Sequence, residues 1–195
     1  MKKSAIFLLF SSVLLAAGPE IPRKATEFAI QTGQDKYIWL NQYLGKTVVL
    51  AFILTDCSHC QFTTGLLVGI QKDYADRGVN VVESAIELMS ALHIPNFVTK
   101  FRTTFPVGYN ELTYAAKFLG YPENDPMLMP QIVFIDRNGI IQAQFAGDDS
   151  RLLSGVQDKT LRDALDRTIK DGMIKEGEPA QKKGQTAARP SAPKK

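Results

Sequence analysis

The stretch Val48-Val49-Leu50-Ala51-Phe52-Ile53-Leu54-Thr55-Asp56-Cys57-Ser58-His59-Cys60 changes character halfway along. Its opening run, Val48 to Leu54, is continuously apolar, the pattern of a strand buried on both faces of a sheet. Two cysteines then follow with two residues between them. From Cys60 to Tyr74 apolar residues recur at helical spacing (Leu66, Leu67, Ile70, Tyr74), and Gly78 stands where the helix stops. Val79 to Ile86 reads as a second strand. A strand, helix, strand unit of this kind pairs its strands in parallel through a right-handed crossover. The cysteines sit at its first turn.

Working outward, Asn96 to Thr103 and Glu111 to Leu119 read as helices on either side of a short Phe105-Pro106-Val107 segment. Gln131 to Asp136 and Ile140 to Phe145 read as strands around Arg137-Asn138-Gly139, where the Asn-Gly step signals a tight hairpin. Asp158 to Lys170 reads as an amphipathic helix with Leu161, Leu165 and Ile169 on one face. His93 falls in a turn-like stretch, Ala91 to Pro95, and is expected as an exposed loop residue; Trp39 is expected in the core. No internal repeat is found.

A chain of 195 residues with 45% hydrophobic content can bury one substantial core. Lys2 and Lys3 precede an uncharged apolar stretch, Ala5 to Ala17, that is shorter than the about 20 residues of a spanning helix. Residues 1–18 are therefore expected to be an export signal, with an uncleaved membrane anchor as the alternative, because Pro19 follows the candidate cleavage site. The expected location is the bacterial periplasm or the outer face of the cytoplasmic membrane. Residues 23–175 form the expected domain. Residues 176–195 are rich in Lys, Ala, Gln, Gly and Pro, lack large apolar side chains, and are expected to be a disordered basic tail. Lys2, Lys3 and the tail together account for more than the whole net charge of +3, so the body is mildly acidic and offers no basic face for nucleic acid.

Cys57 and Cys60 are the only cysteines, and their closeness in sequence rules out a staple between distant segments. At a helix N-terminus the first sulfur of such a pair lies exposed and the second lies one turn inward. Unpaired amides and the helix dipole favour thiolate at the first position, and only thiolate attacks a disulfide. A tetrahedral zinc site would need both histidines, His59 and His93, beside the two cysteines, and His59 lies between the cysteines, an awkward position for joining them on one ion. Covalent haem attachment needs a histidine directly after the second cysteine, where Gln61 stands.

A second marker lies downstream, in Met129-Pro130-Gln131-Ile132-Val133-Phe134-Ile135-Asp136, because proline at the mouth of a strand belongs to a strand start or a special turn. With Gly45-Lys46, Thr104-Phe105-Pro106-Val107 and Phe134-Ile135-Asp136-Arg137-Asn138-Gly139, these landmarks make the chain resemble the thioredoxin-fold family, closest to the TlpA/ResA-like and redoxin-type exported thiol-disulfide oxidoreductases. The resemblance covers Phe28 to Gly147. It implies an α/β, thioredoxin-like fold: a central mixed sheet flanked by helices, with an N-terminal extension and an insertion between the βαβ unit and a C-terminal ββα unit. It also implies a cis Pro130 beside the redox pair and a Met129 that presents backbone to a bound partner.

Three departures stand out. Asp56 replaces the aromatic residue often found before the first cysteine, Ala51 replaces the buried acid of thioredoxin, and the helix lacks the proline often found soon after the pair. His59 resembles the intervening histidine of strong oxidants, while Asp56 opposes a nearby negative charge, so the direction of electron flow stays open across potentials from about −270 to about −120 mV.

The mechanism the resemblance implies has Cys57 as attacking thiol and Cys60 as resolving thiol, with Asp56, Ser58, His59, Met129 and Pro130 shaping the site. It calls for no cofactor and no metal. The expected partners are exported proteins with disulfides or thiols, apocytochrome c among them, and a redox partner protein, acting on a monomer. Two rivals share the fold. A peroxiredoxin expects PxxxTxxC, where this chain has Leu50 and Leu54; a copper chaperone typically expects CxxxC.

Overall fold

The computed structural model describes residues 19–122, 125–152 and 155–174; the expected export segment, 1–18, and the expected basic tail, 176–195, lie outside them. Among the described residues eight strands form one sheet in the order β1-β8-β7-β4-β5-β6-β2-β3. They are β1 (Arg23–Lys24), β2 (Ala29–Gly33), β3 (Lys36–Trp39), β4 (Thr47–Ile53), β5 (Val79–Ala85), β6 (Val107–Tyr109), β7 (Gln131–Ile135) and β8 (Ile140–Phe145). The helices are α1 (Ser58–Tyr74), α2 (Ser90–Phe101), α3 (Leu112–Leu119) and α4 (Gln157–Ile174). β4 pairs parallel with β5 and antiparallel with β7, so the sheet is mixed, as expected.

The apolar run of β4 is central because every one of its residues is buried. Val49, Ala51 and Ile53 face a core formed with α1, α2 and α4, while Val48, Leu50 and Phe52 face a second core formed with α3 and Phe28. A strand covered on both faces needs no polar alternation, which is why the continuous run was a reliable sign. The expected face of α4 is inward: Leu161, Leu165 and Ile169 all join the first core.

Two expectations change. α2 starts at Ser90 and runs through Pro95, so His93 lies on a helix, although it is exposed. Proline normally ends a helix by removing an N–H and crowding the preceding turn. Here Ile94, Phe97, Val98 and Phe101, spaced as one helical face, pack on the first core, and that burial carries the helix past the proline. Trp39 ends β3 and is 39% exposed; it is a surface residue rather than a core one. The hairpin falls where expected, with Arg137, Asn138 and Gly139 as its loop and Gly139 at φ +76°. Asp136 holds it together, its Oδ1 accepting from Asn138 N and Ile140 N and its Oδ2 from Gln142 Nε2.

The N-terminal hairpin β2–β3 joins the sheet where β2 meets β6. This junction depends on Gly108: an added Cβ would fall 2.5 Å from Ile30 Cγ2 and against the Gln31 carbonyl. Gly108→Ala should destabilise the protein by about 1–3 kcal/mol in urea melts, the range of an overpacked core. A wild-type midpoint would show that the β2–β6 junction yields freely.

Candidate active site

The chain leaves β4, turns at Leu54 to Asp56, and enters α1 with Cys57 as its N-cap. Cys57 has extended backbone (φ −76°, ψ 122°), and its Sγ accepts a hydrogen bond from Cys60 N at 3.3 Å. An N-cap side chain normally supplies oxygen to the free amides of the first turn. Here a sulfur takes that place. Cys57 is half-buried and Cys60 is fully buried, so the pair has one accessible and one inner sulfur.

The inner sulfur has a built environment. Leu54 N donates to Cys60 Sγ at 3.5 Å. Burial pushes the Cys60 thiol far above the usual thiol range; its hydrogen bond with Cys57 adds to the rise, and the Leu54 amide opposes it. The Cys57–Cys60 loop is tied to the β5–α2 connection by Glu87, whose Oε1 accepts from Thr55 N at 3.1 Å and from Thr55 Oγ1. Gln61 Nε2 donates to Thr55 O at 2.8 Å and its Oε1 accepts from Lys100 Nζ at 3.0 Å. Asp56, Ser58 and His59 are exposed around the pair.

Met129 and Pro130 reach the same end of the sheet. Gln131 opposes Phe52 in the antiparallel β4–β7 ladder, so Pro130 and Met129 continue alongside Ile53 and Leu54, where β4 gives way to the cysteine loop. The Met129-Pro130 peptide is cis and Pro130 is buried. Gln131 Nε2 and Gly147 N both donate to Leu128 O, at 2.8 and 2.9 Å, and anchor this segment from two sides. Gly147 has to be glycine for this, since a Cβ there would collide with the Met129 carbonyl.

Met129 and Leu54 also line an open groove of about 1160 Å³, with Tyr37, Trp39 and Tyr114 on its walls. Leu88 and Met89 at its edge are 92% and 68% exposed. His93 lies across a small cleft from Asp56 rather than beside the cysteines. Among the described residues no group of three or more His, Cys, Asp or Glu side chains is placed to hold a metal ion.

Sequence reasoning passed over three polar residues that the fold brings to the pair: Thr55, Glu87 and Glu83. Glu83 carried a signal, as the one charged residue in the apolar run Val79 to Ile86.

The comparisons with known proteins follow the same outline. The thiol-disulfide oxidoreductase ResA of Bacillus thuringiensis (strain Al Hakam) is 24% identical over 132 residues, covering 68% of this chain and 73% of that protein. The ResA of Bacillus anthracis matches to the same extent. Among solved structures, a thiol:disulfide interchange protein of the thioredoxin family from Chlorobium tepidum TLS superposes with a TM-score of 0.59 at 23% identity, covering 75% of this chain and 99% of that one. The thioredoxin domain of a thiol-disulfide oxidoreductase from Bacteroides vulgatus gives a TM-score of 0.57 at 17% identity, covering 74% and 96%. At such identities these structures show a shared thioredoxin-like fold. Residues 21–144 match the AhpC/TSA family, and with most of the sheet and both cysteines inside that span, the chain belongs to that family.

Proposed function

We propose that this protein is a thiol-disulfide oxidoreductase that works through Cys57 and Cys60. The observation that carries the reading is the N-cap geometry: an accessible sulfur receives the Cys60 amide, and a second sulfur lies buried one turn behind it. A helix N-terminus stabilises negative charge placed there, which suits an attacking thiolate. Cys57 attacks one sulfur of a partner's disulfide; the other sulfur leaves as a thiolate and takes a proton. Cys60 then attacks Cys57 in the mixed disulfide, closing the Cys57–Cys60 bond and releasing the partner as a dithiol. The reverse sequence oxidises a partner.

The substrate class is a protein. Met129, the flanking groove and the exposed Leu88 and Met89 give the pair an apolar surroundings suited to a polypeptide. The relatives' names support the same reaction type. Peroxide reduction has less behind it, because Leu54 and Leu50 stand where that chemistry expects threonine and proline. Export supplies disulfide-bearing partners, and the charge and apolar pattern of residues 2–17 supports it.

The test is direct. The purified protein should form an intramolecular Cys57–Cys60 disulfide in a glutathione redox buffer and, when reduced, should speed insulin reduction by dithiothreitol. Failure to form that bond, or an insulin rate equal to the protein-free control, would overturn the proposal.

A further inference from the structure

The groove beside the redox pair combines exposed aromatic rings with acidic groups. Tyr37, Trp39 and Tyr114 are exposed on its walls, and Tyr109 joins them in the lining. Tyr37 and Trp39, two residues apart on β3, share one face of the strand with their ring centroids 6.5 Å apart. Tyr114, on α3, is fixed in place, its ring stacked on Phe28 and its hydroxyl accepting from Ala29 N at 3.3 Å. Elsewhere on the protein cations sit over aromatic faces: Arg77 and Arg162 over Tyr74, Lys100 over Phe101, and Arg151 over Phe145. Among the described residues no cation does so at a groove ring, and no lysine or arginine lines the groove.

The charged residues that do line it are both acids, Glu87 and Glu111. Glu111 is exposed at the start of α3. Glu87 Oε1 is met by neutral donors, Thr55 N and Thr55 Oγ1, while its Oε2 is shielded from water and makes no hydrogen bond among the described residues. A carboxylate drawn out of water is costly until a cation or a full set of donors meets it, and Glu87 has neither.

We propose that this groove takes a lysine or arginine side chain of the partner polypeptide, close to the cysteine that Cys57 attacks. The proposal rests on the oxidoreductase reading and narrows its substrate class to polypeptides with a basic residue beside the disulfide. Aromatic faces attract a cation held within about 6 Å of the ring, and the apolar stem of lysine or arginine can lie along Leu54 and Met129 while its head meets the carboxylates. Those two residues belong both to the groove and to the segments that flank the cysteines, and Glu87 is bonded to the cysteine loop through Thr55. A side chain seated there therefore comes from the residues next to the partner's cysteine. An acidic side chain would meet two carboxylates and no cation, so the groove rejects as well as selects.

The test uses short disulfide-bonded peptides that differ in one residue beside the cysteine: lysine, arginine, norleucine or glutamate. Each is reduced by the wild-type protein and separately by dithiothreitol, whose rate corrects for the peptide's own reactivity. The corrected rates should favour lysine and arginine over norleucine by about tenfold, with glutamate slowest, and added salt should shrink the advantage. Glu87→Gln, which keeps an acceptor for Thr55, and Trp39→Leu, which keeps an apolar wall, should each lower the lysine-to-norleucine ratio by at least about threefold. The ratio is read within one protein, so a change in the reactivity of Cys57 itself moves both rates together and leaves it alone. Equal corrected rates for lysine and norleucine in the wild type would overturn the proposal while leaving the oxidoreductase reading intact, and so would a ratio that both variants leave unchanged. No reduction of any peptide would overturn that reading, and the proposal with it.

Discussion

A Cys57→Ser protein is expected to lose disulfide exchange by at least roughly 10³-fold, whereas Cys60→Ser should keep the first attack and fail only at release. The asymmetry follows from position. Cys57 caps α1 and is half-buried, so it is the sulfur a partner can reach. Cys60 is fully buried and its thiol is held far above the usual range, so it cannot replace Cys57 as the attacker. Serine at position 57 can still accept the Cys60 amide and preserve the helix start, so the loss would be chemical rather than structural. Insulin reduction should fall to background in both variants. Reaction with a small activated disulfide should separate them: a burst of one released thiol per chain from Cys60→Ser and none from Cys57→Ser. Equal bursts would show that either sulfur can begin the reaction.

The second large effect is on stability. Glu83 is held protonated in the fold to about pH 8, against 4.5 for the free side chain. A group whose pKa is higher in the folded state adds stability that is complete below its unfolded value and is lost as pH rises through the folded one. The reduced protein should therefore weaken between about pH 4.5 and 8. At about 1.4 kcal/mol per pH unit, the loss approaches about 5 kcal/mol. Asp149 moves in the opposite direction, its carboxyl group lowered chiefly by its hydrogen bond with Arg151. Its contribution is complete above the ordinary carboxylate range and is constant through this window. Glu83→Gln should match the wild type near pH 5 and exceed it near pH 8, in urea melts of the reduced proteins. Parallel curves for the two proteins would mean that Glu83 is ionised in the native state at little cost.

How much of this was legible beforehand depended on the physical signal at each place. The strands β4 and β7 could be read because burial on both faces leaves the apolar runs Val48 to Ile53 and Ile132 to Ile135 with no polar interruption. The Cys57 N-cap could be read because a strand, a pair of cysteines and a helical period meet within a few residues. The β2–β3 hairpin left no comparable sign: Gln31 to Lys36 is polar, and β3 lies at the sheet edge with most of its side chains exposed. α2 was read six residues short at its start because Pro95 is a local breaker, and the packing of Ile94 and Phe97 that overrides it is tertiary. Trp39 looked like core because of its size, and only the fold shows it on the wall of an open groove. Ala51 was read only as a departure from the family pattern. The register of β4 against β5 places Glu83 across from it, and no reading of a single segment contains a register between two.

The central claim is that the sulfur at the head of α1 is the one that reacts. The reduced wild-type protein, given less than one equivalent of iodoacetamide near neutral pH and then mapped by peptide mass spectrometry, should carry the label on Cys57 with Cys60 almost unmarked. Label shared evenly between the two cysteines, or found mainly on Cys60, would contradict it.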